Sequence, residues 1–349
     1  MSGIAELITS KAIAAYWKIK KNERAPYFGE NLFPNDKKLG LDLAWIKGAR
    51  KAPVKLMLSA FDAKSIPLNR GNVSKLSTDM PFFKNSMDID EKQRQELNKL
   101  IGSNANQKMV DIVVRDIFND KMHLLENAAL TREIMRMEIL TTGALSLADN
   151  GQSYSYDYGV PSNHKVTPTV KWDQSTTADP VADINAWLDA IDDETGSRPT
   201  RGVMNGNTLK LIQNCDSIKN AIYVLGQGKV TPTRAEVVNY LQKETNVIFA
   251  INNKGYQNAN GTSTKFIADG TVVLFPEGKL GNTWFGTTPE ESDLMAGAAA
   301  AQVEIVDTGV AITTTIKTDP VNVETKVSMI CLPSFEMAEE VIIATVKTA

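Results

Sequence analysis

Along this chain apolar residues recur at helical spacing, at strand spacing or without period, and the three regimes occupy separate blocks. In residues 1–20, Ile4, Leu7, Ile8, Ala12, Ala15 and Ile19 fit a short amphipathic helix. From 22 to 50 the period is lost, and Tyr27, Phe28, Phe33 and Trp45 stand among Pro26, Gly29, Pro34 and Gly40. An irregular arm with four aromatic rings has to lay them on a surface, of its own chain or of another. Val54, Leu56 and Leu58 then alternate with Lys55, Met57 and Ser59 as in a half-exposed strand, and Pro67 with Arg70-Gly71-Asn72 predicts a turn before Val73.

The longest signal follows. MDIDEKQRQEL places Asp88, Asp90 and Glu91 where the positive end of a helix favours acids, and Met109, Ile112, Val113, Ile117, Leu124, Ala128, Ile134 and Met135 recur on one stripe. No proline falls between Phe82 and Val160. The spacing predicts a helix over 104–141, about 55 Å long at 1.5 Å per residue, stopped by Gly143. A helix this long without sustained heptads suits the backbone of a flat, extended subunit.

YSYDYGVP and KVTPTVKW read as short strands broken by Pro161 and Pro168. Asp179 caps a helix with Pro180 in its first turn, a face of Ile184, Trp187, Leu188 and Ile191, and Gly196 at its end. A strand at Gly202–Met204, a helix after Asn205, a capping box at Thr233 with Glu236, and a strand at Val247–Ile251 continue an α/β pattern. NNKGYQNANGTST reads as an exposed tip, and FIADGTVVLF as a hairpin about Asp269-Gly270. Near the end, Val321, Val323, Thr325, Val327, Met329 and Cys331 alternate with Asn322, Glu324, Lys326 and Ser328, predicting a strand with one buried and one wet face. Its expected partner is Val303–Ile316, in a sheet beside the long helix.

Composition changes this picture little, and charge changes it at one place. The 349 residues are 42% hydrophobic and 23% charged, and 38 basic against 41 acidic side chains argue against a dedicated nucleic-acid binder. Between Lys47 and Lys84, however, Lys47, Arg50, Lys51, Lys55, Lys64, Arg70, Lys75 and Lys84 oppose only Asp62 and Asp79, a local balance of +6 in a chain of net charge -3. This block reads as a long basic two-stranded loop, either a solvated hairpin or a flap that docks on an acidic partner surface. Cys215 and Cys331 make no disulfide framework, no apolar run approaches the roughly 18 residues of a membrane span, and Glu6 and Lys11 interrupt any leader-like start. The expectation is a protein made and folded in a cytoplasm.

No catalytic, cofactor-binding or metal-ligating set emerges. His123 and His164 stand apart without HExxH, no GxSxG or GxxxxGK[ST] occurs, and Gly226-Gln227-Gly228 lacks a third glycine at the dinucleotide spacing. Asp173, Asp179, Asp183, Asp189, Asp192, Asp193 and Glu194 read as a cap and a solvated helix face, not as a cation site.

Taken in order, the arm, the basic loop, the long helix, the α/β block and the closing strands resemble the major capsid proteins of tailed bacteriophages, nearest to the lambda major capsid protein E family. The landmarks are MPFFKNSMDIDEKQRQEL, TREIMRMEILTTGAL, YDYGVP with Trp172-Asp173, DPVADINAW, and DPVNVETKVSMICLPSFEMAEEV. The resemblance implies the α+β Hong Kong 97 type shell fold: an N-terminal arm (1–46), an extended β loop (47–87), a peripheral domain (88–179 and 300–349) with the spine helix, and an α/β axial domain (180–299). It implies a structural protein, not an enzyme, without cofactors, self-assembling as hexamers and pentamers into an icosahedral virion shell around double-stranded DNA. It further implies scaffolding and portal partners, a decoration protein in some relatives, and no membrane. The candidate intersubunit contacts are the eight basic residues from Lys47 to Lys84, the acidic Asp88, Asp90, Glu91 and Glu96, and the four arm aromatics. An encapsulin-like nanocompartment shell shares the fold and is the alternative reading, with a soluble α/β enzyme third.

Overall fold

The computed structural model describes residues 9–47, 74–89, 91–92, 95, 99, 107–223, 231–258, 260–298, 301–318 and 321–348. The chain divides into two compact units, one gathering the described parts of 1–44, 77–135 and 282–334, the other those of 45–76, 136–281 and 335–349.

The first unit begins with helix α1 (Ser10–Glu23), whose N-terminus is capped by the Thr9 hydroxyl accepting from Ala12 N–H. A five-residue helix, α2 (Phe28–Leu32), and strand β1 (Asn35–Lys37) follow, so the expected irregular arm carries regular structure. Strands β2 (Asp42–Lys47) and β3 (Ser74–Asp79) pair as a ribbon, and β4 (Phe82–Ile89) follows. This corrects the reading of Asp88 as a helix start. Met87-Asp88-Ile89 finish a strand because an eight-residue antiparallel ladder to β16 (Val321–Pro333) outweighs the local acidic signal. Glu91, Lys92, Gln95 and Lys99 are helical.

The spine helix, α3, runs Gln107–Thr142, 36 residues or about 54 Å. Gly143 ends it at φ 73°, where the Gly143 N–H bonds Ile139 O; a side chain there would also meet Val160 Cγ2 at 2.6 Å. Residues 107–135 of the helix belong to the first unit and 136–142 to the second.

The first unit's sheet has the order β1, β13 (Thr283–Phe285), β16, β15 (Val310–Thr318), β14 (Gln302–Val306), with β4 beside β16. Directly paired residues share a face. Met329 lies on the face met by the spine helix, since Arg132 Nη1 is 3.7 Å from its sulfur. Ser328 and Lys326 lie on the opposite face, where they bond Glu290 of helix α8 (Pro289–Met295). The face expected to be wet is therefore only partly so: Asn322 and Ser328 are buried, while Glu324 and Lys326 are half-buried and ion-paired.

In the second unit, strands β5 (Ala144–Asp149) and β6 (Gln152–Asp157) form a hairpin. A five-stranded sheet runs β7 (Lys165–Val166), β17 (Ile342–Thr345), β12 (Thr271–Phe275), β8 (Arg201–Met204), β9 (Ile248–Ile251). Helices α4 (Pro180–Thr195), α5 (Gly206–Asn214), α6 (Asp216–Ile222) and α7 (Arg234–Thr245) pack with it around Trp172, Ile184, Leu188, Leu209, Leu241 and Leu274. The expected caps are present: the Asp179 carboxylate accepts from Ala182 N–H, Asn205 Oδ1 from Thr208 N–H, and Thr233 and Glu236 form their box. The polar tip is a short hairpin, β10 (Gly255–Gln257) with β11 (Ser263–Lys265). The hairpin expected about Asp269-Gly270 does not form. Thr271–Phe275 instead pairs with β8 and β17, while the Gly270 N–H is taken by Thr208 Oγ1. Two boundaries also differ from the sequence reading: β17 joins the sheet of the 180–281 region, whereas β13 and α8 belong with β14–β16.

Candidate assembly interface

The arm is clasped to its own unit before it offers anything to a neighbour. Ile13, Ala14 and Trp17 bury one face of α1, and the Tyr16 hydroxyl donates to Asn119 on the spine helix at 3.1 Å. The turn between β14 and β15 presents Asp307, whose side chain is 6% exposed, to Lys21 at 2.7 Å and Arg132 at 3.1 Å. Burial opposes the charge of Asp307, but the bond from Lys21 and the nearby Arg132 charge hold its carboxyl below the usual carboxylate range. Asp307 and Thr308 are both left-handed, at φ 48° and 77°, an uncommon conformation for a non-glycine and an outlier for a β-branched residue. Further along the arm, the Gly29 N–H donates to Glu133 on the spine helix at 2.8 Å, and the Thr283 hydroxyl donates to Phe33 O.

Of the four arm aromatics, Phe33 is fully buried in its own unit, so its ring has no face to give another subunit. Tyr27 and Phe28 are half-buried, with the Arg24 guanidinium 4.2 Å above the Tyr27 ring and burial raising the Tyr27 phenol. Trp45, Lys47 and Lys75 lie on the β2–β3 ribbon, but their side chains are outside the described residues, as are Arg50, Lys51, Lys55, Lys64, Arg70, Asp90 and Glu96 altogether. Lys84 is exposed, 5.8 Å from the Phe82 ring centre. Asp88 and Glu91 are also exposed, and Asp88 accepts a long 3.4 Å bond from Asn322.

Sequence reasoning missed two groups. The first is a polar ladder on the α8 face of the sheet: Lys317 to Glu324 at 2.9 Å, Lys326 to Glu290 at 2.5 Å, and Ser328 to Glu290 at 2.8 Å. The second is the set of charges buried against the spine helix. Lys121 is 1% exposed and donates to Met87 O at 2.5 Å; burial pushes its ammonium down to about 8, against the upward pull of Asp88, Asp120 and Glu324. The available signal was that Lys121 interrupts the Ile117–Leu124 apolar stripe.

The remaining titratable groups serve structure. The Cys215 thiol is pushed up to about 12 by burial, far from a reactive thiolate, and donates to Leu211 O. His164 is buried 3.2 Å from Glu194, and His123 lies 3.0 Å from Glu126. A cleft of about 370 Å³ between α1 and the spine helix is lined by Lys20, Lys21, His123 and Glu126, but Lys20 pairs with Glu23, Lys21 with Asp307 and His123 with Glu126. Among the described residues no three side chains could hold a metal ion, and no helix is long and apolar enough to cross a membrane.

A clasped arm, a two-stranded ribbon, a spine helix over a long-stranded sheet and a second α/β unit define a class, the Hong Kong 97 type capsid subunits. Comparisons with solved structures give the same class. The chain resembles the putative capsid protein of a prophage of Escherichia coli CFT073 at 14% identity, with a TM-score of 0.61 over 97% of this chain and 99% of that one. It resembles a phage-related protein of Bordetella bronchiseptica at 13% identity, with a TM-score of 0.55 over 98% and 99%. The capsid asymmetric unit of cyanophage A-1(L) follows at 10% identity, with a TM-score of 0.51 over 93% of each chain. No curated protein matches the sequence. The chain belongs to the phage major capsid protein E family, whose model matches residues 9–346. It is a structural protein of the tailed-phage virion shell, self-assembling in many copies, and not an enzyme.

Proposed function

We propose that this chain tiles an icosahedral shell as hexamers and pentamers around double-stranded DNA, assembling in the host cytoplasm with scaffolding and portal proteins. A decoration protein is an accessory partner. In this reading the segment 47–87 is the extended loop, and its basic residues dock on a neighbouring copy's Asp88, Asp90, Glu91 and Glu96. The observation that carries it is the polarity at the loop's root. Residues 47–84, which include strand β3 and the start of β4, carry a net charge of +6, while Asp88 and Glu91 are exposed just beyond them. The genome is contacted without sequence readout, since a mildly acidic lining limits the tight, salt-sensitive grip that many phosphate contacts would bring.

The test is to reverse Lys51 and Lys55 to Glu together and examine particles by electron microscopy and light scattering. Loss of closed shells with the subunit still folded supports the loop contact; normal shells count against it. Wild-type particles filled with a cargo protein in place of DNA would return the encapsulin-like reading.

A further inference from the structure

The two faces of the first unit's sheet are covered unequally. On one face Val323, Thr325, Val327 and Met329 are buried, with the spine helix over Met329, and only Ile316, paired with Val323, stands exposed at 55% among its described large apolar residues. The other face carries the polar ladder and one short helix, α8. Five exposed apolar side chains collect around this second face: Leu39 at 73%, Leu41 at 52%, Phe82 at 40%, Leu294 at 44% and Met295 at 63%.

Each is held there by structure rather than by fraying. Phe82 pairs with Ile330, which places its ring on the α8 face. The two leucines flank Gly40, whose φ of 90° turns the backbone so that its carbonyl accepts from Thr287 N–H and its N–H donates to Thr287 Oγ1. Met80 N–H bonds Leu41 O, and a Cβ at Gly286 would stand 2.7 Å from Gly40 O and 2.8 Å from Ile330 Cγ2, so this stretch sits against the same strand. Helix α8 starts one residue beyond its Thr288 cap and is fixed by Glu291 to Lys37 at 2.5 Å. Its last two residues are the exposed Leu294 and Met295.

We propose that this face is a docking surface for a second copy of the chain, with Leu39, Leu41, Phe82, Leu294 and Met295 as its apolar centre and the Lys317–Glu324 and Lys326–Glu290 pairs as its rim. The inference rests on the shell reading, which surrounds each subunit with copies of itself. Area supports that occupant. The five side chains expose on the order of 500 Å², in the size range of the largest, often functional, patch on a subunit and a substantial share of the roughly 800 Å² per partner that a stable contact buries. The arrangement also matches interface anatomy, with apolar residues central and paired charges peripheral.

The test uses single cysteines in the full chain, since Cys215 and Cys331 are both buried. Leu39→Cys and Met295→Cys are each reacted with a maleimide-polyethylene glycol before and after assembly. Labelling at both positions at least tenfold slower in shells supports the surface. Equal reactivity in shells and free subunits overturns it while leaving the shell reading intact. Protection that needs a different phage protein added to finished shells assigns the patch to that protein and overturns the second-copy assignment. If the wild type forms no shell or capsomer even with its scaffold, the shell reading fails and takes this inference with it. Leu41→Asp with Met295→Asp, checked for an unchanged circular dichroism spectrum, should raise the concentration needed for assembly at least tenfold.

Discussion

The two units hold together by different means. The second is built around one apolar cluster, from Trp172 through Leu188 and Leu241 to Val346, closed by helices whose caps come from adjacent residues. Each unit joins three stretches of chain, but the first buries Lys121, Arg132, Glu133 and Asp307 where its stretches meet. Buried charges instead fix which helix meets which turn, at a cost of desolvation that only complete pairing offsets.

Breaking one buried charge should therefore exceed any single loss of apolar packing of similar size. Arg132→Ala leaves Asp307 with Lys21 alone and strips a cation from over Phe285, 5.6 Å away; it should cost about 3–5 kcal/mol in urea denaturation and open α1 to proteolysis. Leu188→Ala in the second unit should cost about 2–4 kcal/mol, with hydrogen-exchange protection falling around α4 while β15 and β16 keep theirs. A cost below about 1 kcal/mol for Arg132→Ala would remove the contrast.

A smaller effect of opposite sign is expected at Lys121. Its folded value of about 8 lies below the ordinary lysine value of 10.5, so the buried charge penalises the native state fully below pH 8. Between about 8 and 10.5 the unfolded chain binds more protons than the folded one, and stability rises with pH. Lys121→Met should add about 1–2 kcal/mol at neutral pH and flatten that alkaline rise. Asp307, Glu290 and Glu324 act in the other direction: their depressed values contribute stability above the ordinary carboxylate range that is lost as pH falls through the folded values. Thermal melts from acid to alkaline pH check both slopes. The smallest change is Thr308→Gly, which relieves a left-handed β-branched residue and should gain about 0.5–1 kcal/mol.

The same contrast explains what was legible in the sequence. The α4 helix could be read with its ends because Asp179, Pro180 and Gly196 act within a turn of it, and the spine helix because its stripe is long. Strand β4 could not, because its ladder partner lies more than two hundred residues away and its own burial pattern barely alternates. Gly270 was misread for a similar reason: its N–H goes to Thr208, a residue no local rule connects with it. Among the candidate contacts, charge indicated the exposure of Lys84, Asp88 and Glu91, but an aromatic in the arm did not reveal its direction, and Phe33 is buried. Leu39, Leu41 and Met295 carried no signal, since a single leucine or methionine looks the same in sequence whether it is covered or bare.

Strand β17 adds a consequence in time. It lies between β7 and β12, so the edge strand β7 has nothing to pair with on the second unit's sheet until β17 arrives, and the first unit's sheet likewise waits for β16. A nascent chain on the ribosome holds the arm, the ribbon and the spine helix with no finished sheet to lay them on. Such a chain closes both units only once β16 and β17 have emerged, which separates the making of the earlier elements from the moment at which the subunit can first meet another copy.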